Sequence, residues 1–298
     1  MKGIIAVGLA SIAYGIMPVF TKNLILQGMP TVSVVFYRFL LAHLAIGIYL
    51  LVSKKGLHVT RGQLKDLVVL GVAGFGLTAF FLASSYETLP VGLATMFHFT
   101  YPIFVVLMMM GVFHEKASGM KWLAVISAVI GLVLLMDLSG GLSVKGIIWA
   151  VLSGITYAVY VIGNRETSLR DLPAPQILFY VTLVSVVFFG AQAIFKGQLV
   201  VPSGARAWVD LLFISQVSTV FALLLLTYGI KTIGATKASM INMLEPVVGM
   251  VSGMVVYGER LDFRSGLGCM AILLAVVCIA FDGATERKQV LKMKKSMG

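Results

Sequence analysis

The sequence predicts an all-α integral membrane protein whose ten transmembrane helices form two inverted five-helix repeats. Three observations carry that prediction. The first is composition: 59% of the 298 residues are apolar and 12% charged, with a mean hydropathy of +0.99, where a soluble domain is about 45–50% apolar and about 25% charged. The second is the presence of ten apolar runs of membrane-spanning length. The third is a polar island that occurs twice. Phe97-His98-Phe99-Thr100-Tyr101-Pro102 returns 144 positions later as Ile241-Asn242-Met243-Leu244-Glu245-Pro246, and each copy is followed thirteen residues on by an acid and a base, Glu115-Lys116 and Glu259-Arg260.

Crossing the bilayer core takes about 20 apolar residues in a helix. The first run, 3–21, follows the single lysine Lys2 and leads to no small-residue cleavage site, so it reads as a retained helix and not a signal peptide. The second, 31–52, starts after Pro30 and carries Arg38 and His43. The third, 67–86, contains Gly71, Gly74 and Gly76, a small-residue spacing that lets helices approach closely. The fourth, 91–113, holds the first island, and the fifth, 121–138, closes at Asp137. The sixth, 144–163, brings Tyr157 and Tyr160; the seventh spans 176–195; the eighth, 208–229, includes Gln216, Ser218 and Thr219. The ninth, 235–257, holds the second island together with Gly249 and Gly253. The tenth, 265–282, carries both cysteines, Cys269 and Cys278, nine apart on one helix and too distant to bridge. No run shows the period-two alternation of a membrane barrel strand.

The duplication extends beyond the islands. Ile4-Ile5, Leu9, Ile12 and Tyr14 match Ile147-Ile148, Leu152, Ile155 and Tyr157 at an offset of 143, as Met29-Pro30 and Phe36-Tyr37 match Leu172-Pro173 and Phe179-Tyr180. Asp137 and Asp282 close the two fifth helices, 145 apart. The expected units are 1–140, 141–284 and a basic tail, 285–298. Five is odd, so the second unit enters the membrane from the opposite side, an arrangement used by secondary transporters with a site near the midplane. Lys and Arg set the orientation: 16 fall on the side of the N-terminus and 6 on the other, with Arg38 inside a helix. Both termini are therefore expected in the cytoplasm of a cell-membrane protein. The net charge of +11 follows from this topology and implies no nucleic-acid partner; the lipid bilayer is the partner it fits.

Tyr14-Gly15, Tyr37-Arg38-Phe39-Leu40-Leu41-Ala42, Leu93-Ala94 through Tyr101-Pro102, Leu244-Glu245-Pro246 and Gly258-Glu259-Arg260-Leu261 together resemble the EamA-type members of the drug/metabolite transporter superfamily. That resemblance implies ten helices in two repeats and transport of amino acids or related metabolites and drugs, often by export. Many relatives carry Trp before the first-helix glycine where this chain has Tyr14, so substrate contacts at that position do not carry over.

Ionisable groups inside a membrane helix cost roughly 2.5–3.5 kcal/mol on insertion scales, and four need a reason: Arg38, His43, His98 and Glu245. Arg38 and Glu245 suit a buried ion pair. A substrate carboxylate on Arg38 is the competing reading, and the two can alternate within one cycle. Without a cation beside it, Glu245 suits a coupling proton, because burial disfavours the charged carboxylate. His98 with Tyr101, and Asn242 with Glu245, share helix faces three residues apart and are symmetry mates about one cavity. Tyr14, Phe97, Tyr157, Tyr160 and Gln216 complete the expected substrate lining. Pro102 and Pro246 kink their helices by freeing a carbonyl one turn upstream. His43 reads as structural, and Glu115 as a lock between a repeat and its loop.

The function expected is a gradient-driven carrier of a small organic solute. A passive channel is the alternative. Neither H-E-x-x-H nor G-x-S-x-G occurs, nor a pair of intramembrane aspartates, so no enzymatic activity, metal or cofactor is expected.

Overall fold

The computed structural model describes residues 1–54, 57–85, 88, 91–115, 118–135, 143–257, 263, 264 and 266–278. Ten helical spans occur among them. Helix α1 runs as Lys2–Gly15 and Met17–Leu26, α2 is Thr31–Val52, and α3 joins Arg61–Val69, a π-helical Leu70–Gly76 and Leu77–Ser85. Helix α4 is Val91–His98 and Tyr101–Gly111, and α5 is Gly119–Leu135. Helix α6 is Val144–Glu166 and α7 is Ala174–Phe195; α8 joins Gly204–Ser215, a π-helical Gln216–Phe221 and Ala222–Ile233. Helix α9 is Ala235–Asn242 and Leu244–Tyr257, and α10 is Gly266–Cys278. The expected markers Lys116, Asp137, Glu259, Arg260, Asp282 and the tail 285–298 lie outside the described residues.

Several helices are longer than their apolar runs, because a helix continues through the interface where polar residues are tolerated. Helix α3 begins at Arg61, six residues before the apolar run, since Thr60 and Gln63 form a reciprocal capping box at 3.2 and 2.9 Å. Helix α1 continues to Leu26 after a break at Ile16, with Pro18 in the first turn of its second segment; the expected run of 3–21 did not anticipate that break. Helices α8 and α9 are separated by one residue, Gly234 at φ +94°, a left-handed backbone that costs glycine little.

The packing follows the duplication. Helix α1 lies against α8 and α9, and its mate α6 lies against α3 and α4; α2 packs along α7, and α9 meets α4 at the centre. Each first helix thus seats on the third and fourth helices of the other repeat. Helix α5 meets α10 where Gly131 faces Ile272, and Arg264 donates to the Val133 carbonyl at 3.0 Å. The distribution of side chains is that of a membrane protein. Apolar groups such as Ile5, Leu9, Ile48, Ile126, Ile130, Val133 and Met270 are exposed around the outside, whereas Ser11, Ser153, Asn164, Ser185, Thr219 and Asn242 are buried between helices, where small polar residues join helix to helix.

Candidate functional site

Both islands sit at helix breaks. Pro102 and Pro246 have no N–H for the carbonyls of His98 and Asn242, so α4 turns at Phe99–Thr100 and α9 at Met243. Thr100 satisfies part of the first break by donating its hydroxyl to the Phe97 carbonyl at 2.7 Å. The neighbouring first helices close on these turns with glycines. A Cβ on Gly154 of α6 would stand 3.0 Å from the freed His98 carbonyl oxygen, and one on Gly15 of α1 would stand 2.7 Å from the Glu245 carbonyl oxygen and 2.6 Å from Val248 Cβ. Gly15→Val is therefore expected to destabilise the protein by about 1–3 kcal/mol, at the upper end because backbone must move, and thermal unfolding in detergent checks it.

The two breaks are braced alike. Ser11 of α1 donates to Asn242 Oδ1 at 3.0 Å, and Ser153 of α6 is 2.9 Å from His98 Nδ1. Asn242 is a hub. Its amide nitrogen donates to Tyr101 Oη at 3.0 Å and to Glu245 Oε2 at 3.1 Å. Both amide hydrogens and the oxygen are thereby engaged, so Asn242, expected to touch substrate, also orients Glu245 and Tyr101. The Tyr101 hydroxyl accepts from Asn242 and keeps its own hydrogen to donate.

Rings surround this hub. The Tyr157 ring is 4.7 Å from that of Tyr101, edge on, and 5.4 Å from that of His98, and Tyr160 stacks on Tyr157 at 5.9 Å. Tyr14, Tyr101 and Tyr157 are buried in the neighbourhood of Glu245. Arg38 reaches the same region from α2. Its Nε donates to Thr219 Oγ1 at 2.6 Å, its Nη2 lies 3.4 Å from the Ser218 carbonyl oxygen, and its charge acts on both Glu245 and Tyr14. Arg38 and Glu245 are only partly buried, unlike the tyrosines and Asn242 around them.

Other residues expected in the lining also make contacts between helices. Gln216 holds α8 to α2 by donating to the Leu41 carbonyl at 3.3 Å, and within α8 it donates to Ser215 Oγ at 3.0 Å. Phe97 packs in a small cluster with Ala94, Ala150 and Ile147. His43 is 3.2 Å from both the Phe179 carbonyl and Thr182 Oγ1, a structural bond between α2 and α7. Among the described residues no cluster of His, Cys, Asp or Glu suits a metal.

The serine braces and both π-helical segments are not among the features expected from the sequence. Those segments begin 146 positions apart, at Leu70 and Gln216, in the third helix of each repeat. Within the second, Thr219 donates to the Ile214 carbonyl five residues back, at 2.8 Å, and so presents its oxygen to Arg38. The glycines of α3 and the Gln216-Val217-Ser218-Thr219 string were the available signals.

The end of the bundle that carries the N-terminus is tied together by polar contacts. Arg165 Nη1 donates to the Ile230 and Lys231 carbonyls, both at 3.3 Å, at the end of α8. Lys231 Nζ donates to the Leu169 carbonyl at 2.7 Å and to that of Leu172. Glu115 pairs with Lys121 at 2.7 Å and accepts from Thr236 at 2.9 Å, tying the end of α4 to the start of α9. At the other end Asp210, an acid buried in α8, is held by Arg206 at 3.5 Å and Gln27 at 3.4 Å.

Comparison with known proteins bears on family, relatives and fold in turn. The profile of the EamA-like transporter family matches residues 1–137 and again 144–281. An uncharacterized transporter of Archaeoglobus fulgidus is 26% identical over 279 residues, 93% of this chain and 95% of its own. An S-adenosylmethionine uptake transporter of Rickettsia bellii is 23% identical over 247 residues, 80% of this chain and 76% of its own. A solved structure described as "Crystal structure of protein" superposes with a TM-score of 0.80 at 17% identity, covering 94% of this chain and 96% of that one, which establishes a shared fold.

Proposed function

The chain belongs to the EamA-like transporter family, and on that premise we propose that it is a secondary transporter moving an amino acid or related metabolite by alternating access. The observation that carries this reading is the meeting of one base and one acid, Arg38 and Glu245, with Tyr14, Tyr101 and Tyr157 at the breaks of α4 and α9. A zwitterion matches that set. Its carboxylate suits the Arg38 guanidinium, and its ammonium suits Glu245 and the ring faces, which attract cations. S-adenosylmethionine, named for the Rickettsia relatives, has the same amino-acid end and a second cation.

The sequence holds no phosphate-binding G-x-x-x-x-G-K-[ST] loop, so an ion or solute gradient is the proposed driving force, with Glu245 as the carrier of a coupled proton. Because α1 packs with α8 and α9, and α6 with α3 and α4, the bodies proposed to rock are mixed from both repeats, units 1–140 and 141–284. Closure by Arg165, Lys231 and Glu115 beside a partly accessible Arg38 and Glu245 fits a conformer sealed at the N-terminal end. With the excess of Lys and Arg there, that end and the 285–298 tail are proposed to be cytoplasmic, and the net direction export.

Purified protein in liposomes tests the reading against a panel of labelled amino acids and S-adenosylmethionine. Saturable flux with counterflow is expected for at least one of them. Flux that does not saturate would instead identify a channel, and no flux for any would remove this substrate class.

A further inference from the structure

The third helix of each repeat departs from α-helical geometry at one place. In α8 the Ala222 N–H bonds to the Val217 and Thr219 carbonyls and passes over that of Ser218, the acceptor four residues back that an α-helix would use. In α3 the Leu77 N–H likewise bonds to the Val72 and Gly74 carbonyls and passes over Ala73, 145 positions earlier. π-helical turns of this kind are rare and collect at functional sites. The packing around them is shared too: α2 lies on the segment in α8, and α7 on the one in α3.

The side chains are not shared. Ser218 and Thr219 stand where α3 has Ala73 and Gly74, and Arg38 of α2 stands where α7 has Val181. Polar acceptors thus occupy the turn whose packing partner supplies an arginine, and not its counterpart. They meet that arginine directly. Thr219, 1% exposed, gives its hydroxyl hydrogen to the Ile214 carbonyl, so its oxygen serves as the acceptor for Arg38 Nε at 2.6 Å. The Ser218 carbonyl that Ala222 passes over lies 3.4 Å from Arg38 Nη2. Nε and Nη2 form one edge of the planar guanidinium, and two contacts along that edge fix its plane. The turn is itself held by two other helices. Ser218 Oγ donates to the Ala13 carbonyl of α1 at 2.7 Å, and Gln216 donates to the Leu41 carbonyl of α2, three residues beyond Arg38. Arg38 stays partly exposed, as a residue that meets a solute must.

We propose that the π-helical turn Gln216–Phe221 is a specificity element, with Thr219 as the positioning residue that aims the Arg38 guanidinium at the carboxylate of the transported solute. A guanidinium held in one plane meets a carboxylate through two parallel bonds, which a carboxamide with its single acceptor oxygen cannot match. The solute rests on the transporter reading above; the carboxylate site itself is tested without transport.

The test is thermal unfolding of the full chain in detergent. Sodium propionate is titrated against sodium chloride at matched ionic strength, with propionamide as the neutral comparison. The midpoint is expected to rise with propionate and not with propionamide, and the rise to vanish in Arg38→Gln. Thr219→Val, nearly isosteric, should raise the half-saturating propionate concentration about tenfold, the scale of one hydrogen bond to a charged group. Thr219→Ser, which keeps the oxygen, should restore it. A hydroxyl that only held helices together would lower the midpoint without moving that concentration. Thr219→Ala gives the same reading if Thr219→Val does not fold. An unchanged propionate dependence in Thr219→Val or Thr219→Ala, a rise that survives Arg38→Gln, or no rise in the unmodified protein overturns the proposal. In liposomes Thr219→Val is further expected to raise KM for labelled L-methionine by the same factor with kcat unchanged. A propionate response that follows Thr219 in detergent, without flux of any solute in liposomes, keeps the positioning role and counts against the transporter reading.

Discussion

Glu245→Gln is expected to abolish gradient-driven flux while leaving the protein folded. The amide is nearly isosteric with the carboxyl, and its oxygen still accepts from Asn242, which now donates to Glu245 Oε2 at 3.1 Å. What disappears is the negative charge in the neighbourhood of the Arg38 guanidinium and the site's ability to gain and lose a proton. Flux down a pH gradient should fall at least about tenfold, since a hydrogen bond between charged groups contributes about 1.5–3 kcal/mol and each 1.4 kcal/mol is a factor of ten. Glutamine does not titrate, so the pH dependence of the unmodified protein should be missing from the variant. Liposome flux measured at two internal and external pH values reads both effects. A variant with full flux and an unchanged pH profile would remove Glu245 from the coupling step.

Removing the other charge should do more damage. Arg38→Ala takes away the donor to Thr219 Oγ1 and leaves Glu245 without the cation that acts on it. Breaking a fully buried pair by deleting one partner costs about 3–5 kcal/mol; the partial accessibility of both residues places this loss toward the lower end. The double variant Arg38→Ala/Glu245→Gln should recover much of that stability, because the uncompensated charge is gone. Melting temperatures of both single variants and the double variant form the cycle that isolates the coupling. Additive losses would mean that the two residues act independently. An Arg38→Ala protein that folds normally but no longer carries solutes with a carboxylate would assign Arg38 to substrate.

Much of the fold was legible in the residues. Apolar runs of about 20 residues are required of any helix that crosses lipid, because backbone polar groups there have no other partner, so the ten spans could be counted from hydropathy. The recurrence of FHFTYP as INMLEP, with the matched Tyr14 and Tyr157, exposed the duplication, and an odd number of helices per copy determined its inversion. Arg38, His98, Tyr101 and Glu245 stood out for the same physical reason: a polar group inside lipid is costly enough to need a purpose.

The roles of those residues were decided by tertiary structure. Sequence spacing put Asn242 and Glu245 on one face, but only the crossing of α1 over the α9 break supplied Ser11, and with it a hub that uses the Asn242 amide completely. Gln216, expected as substrate lining, has its amide on the Leu41 carbonyl because α2 approaches α8 there. Hydropathy is a property of each residue and survives in the one-dimensional string; hydrogen-bond partnership across helices depends on their relative placement, which exists only once they have packed.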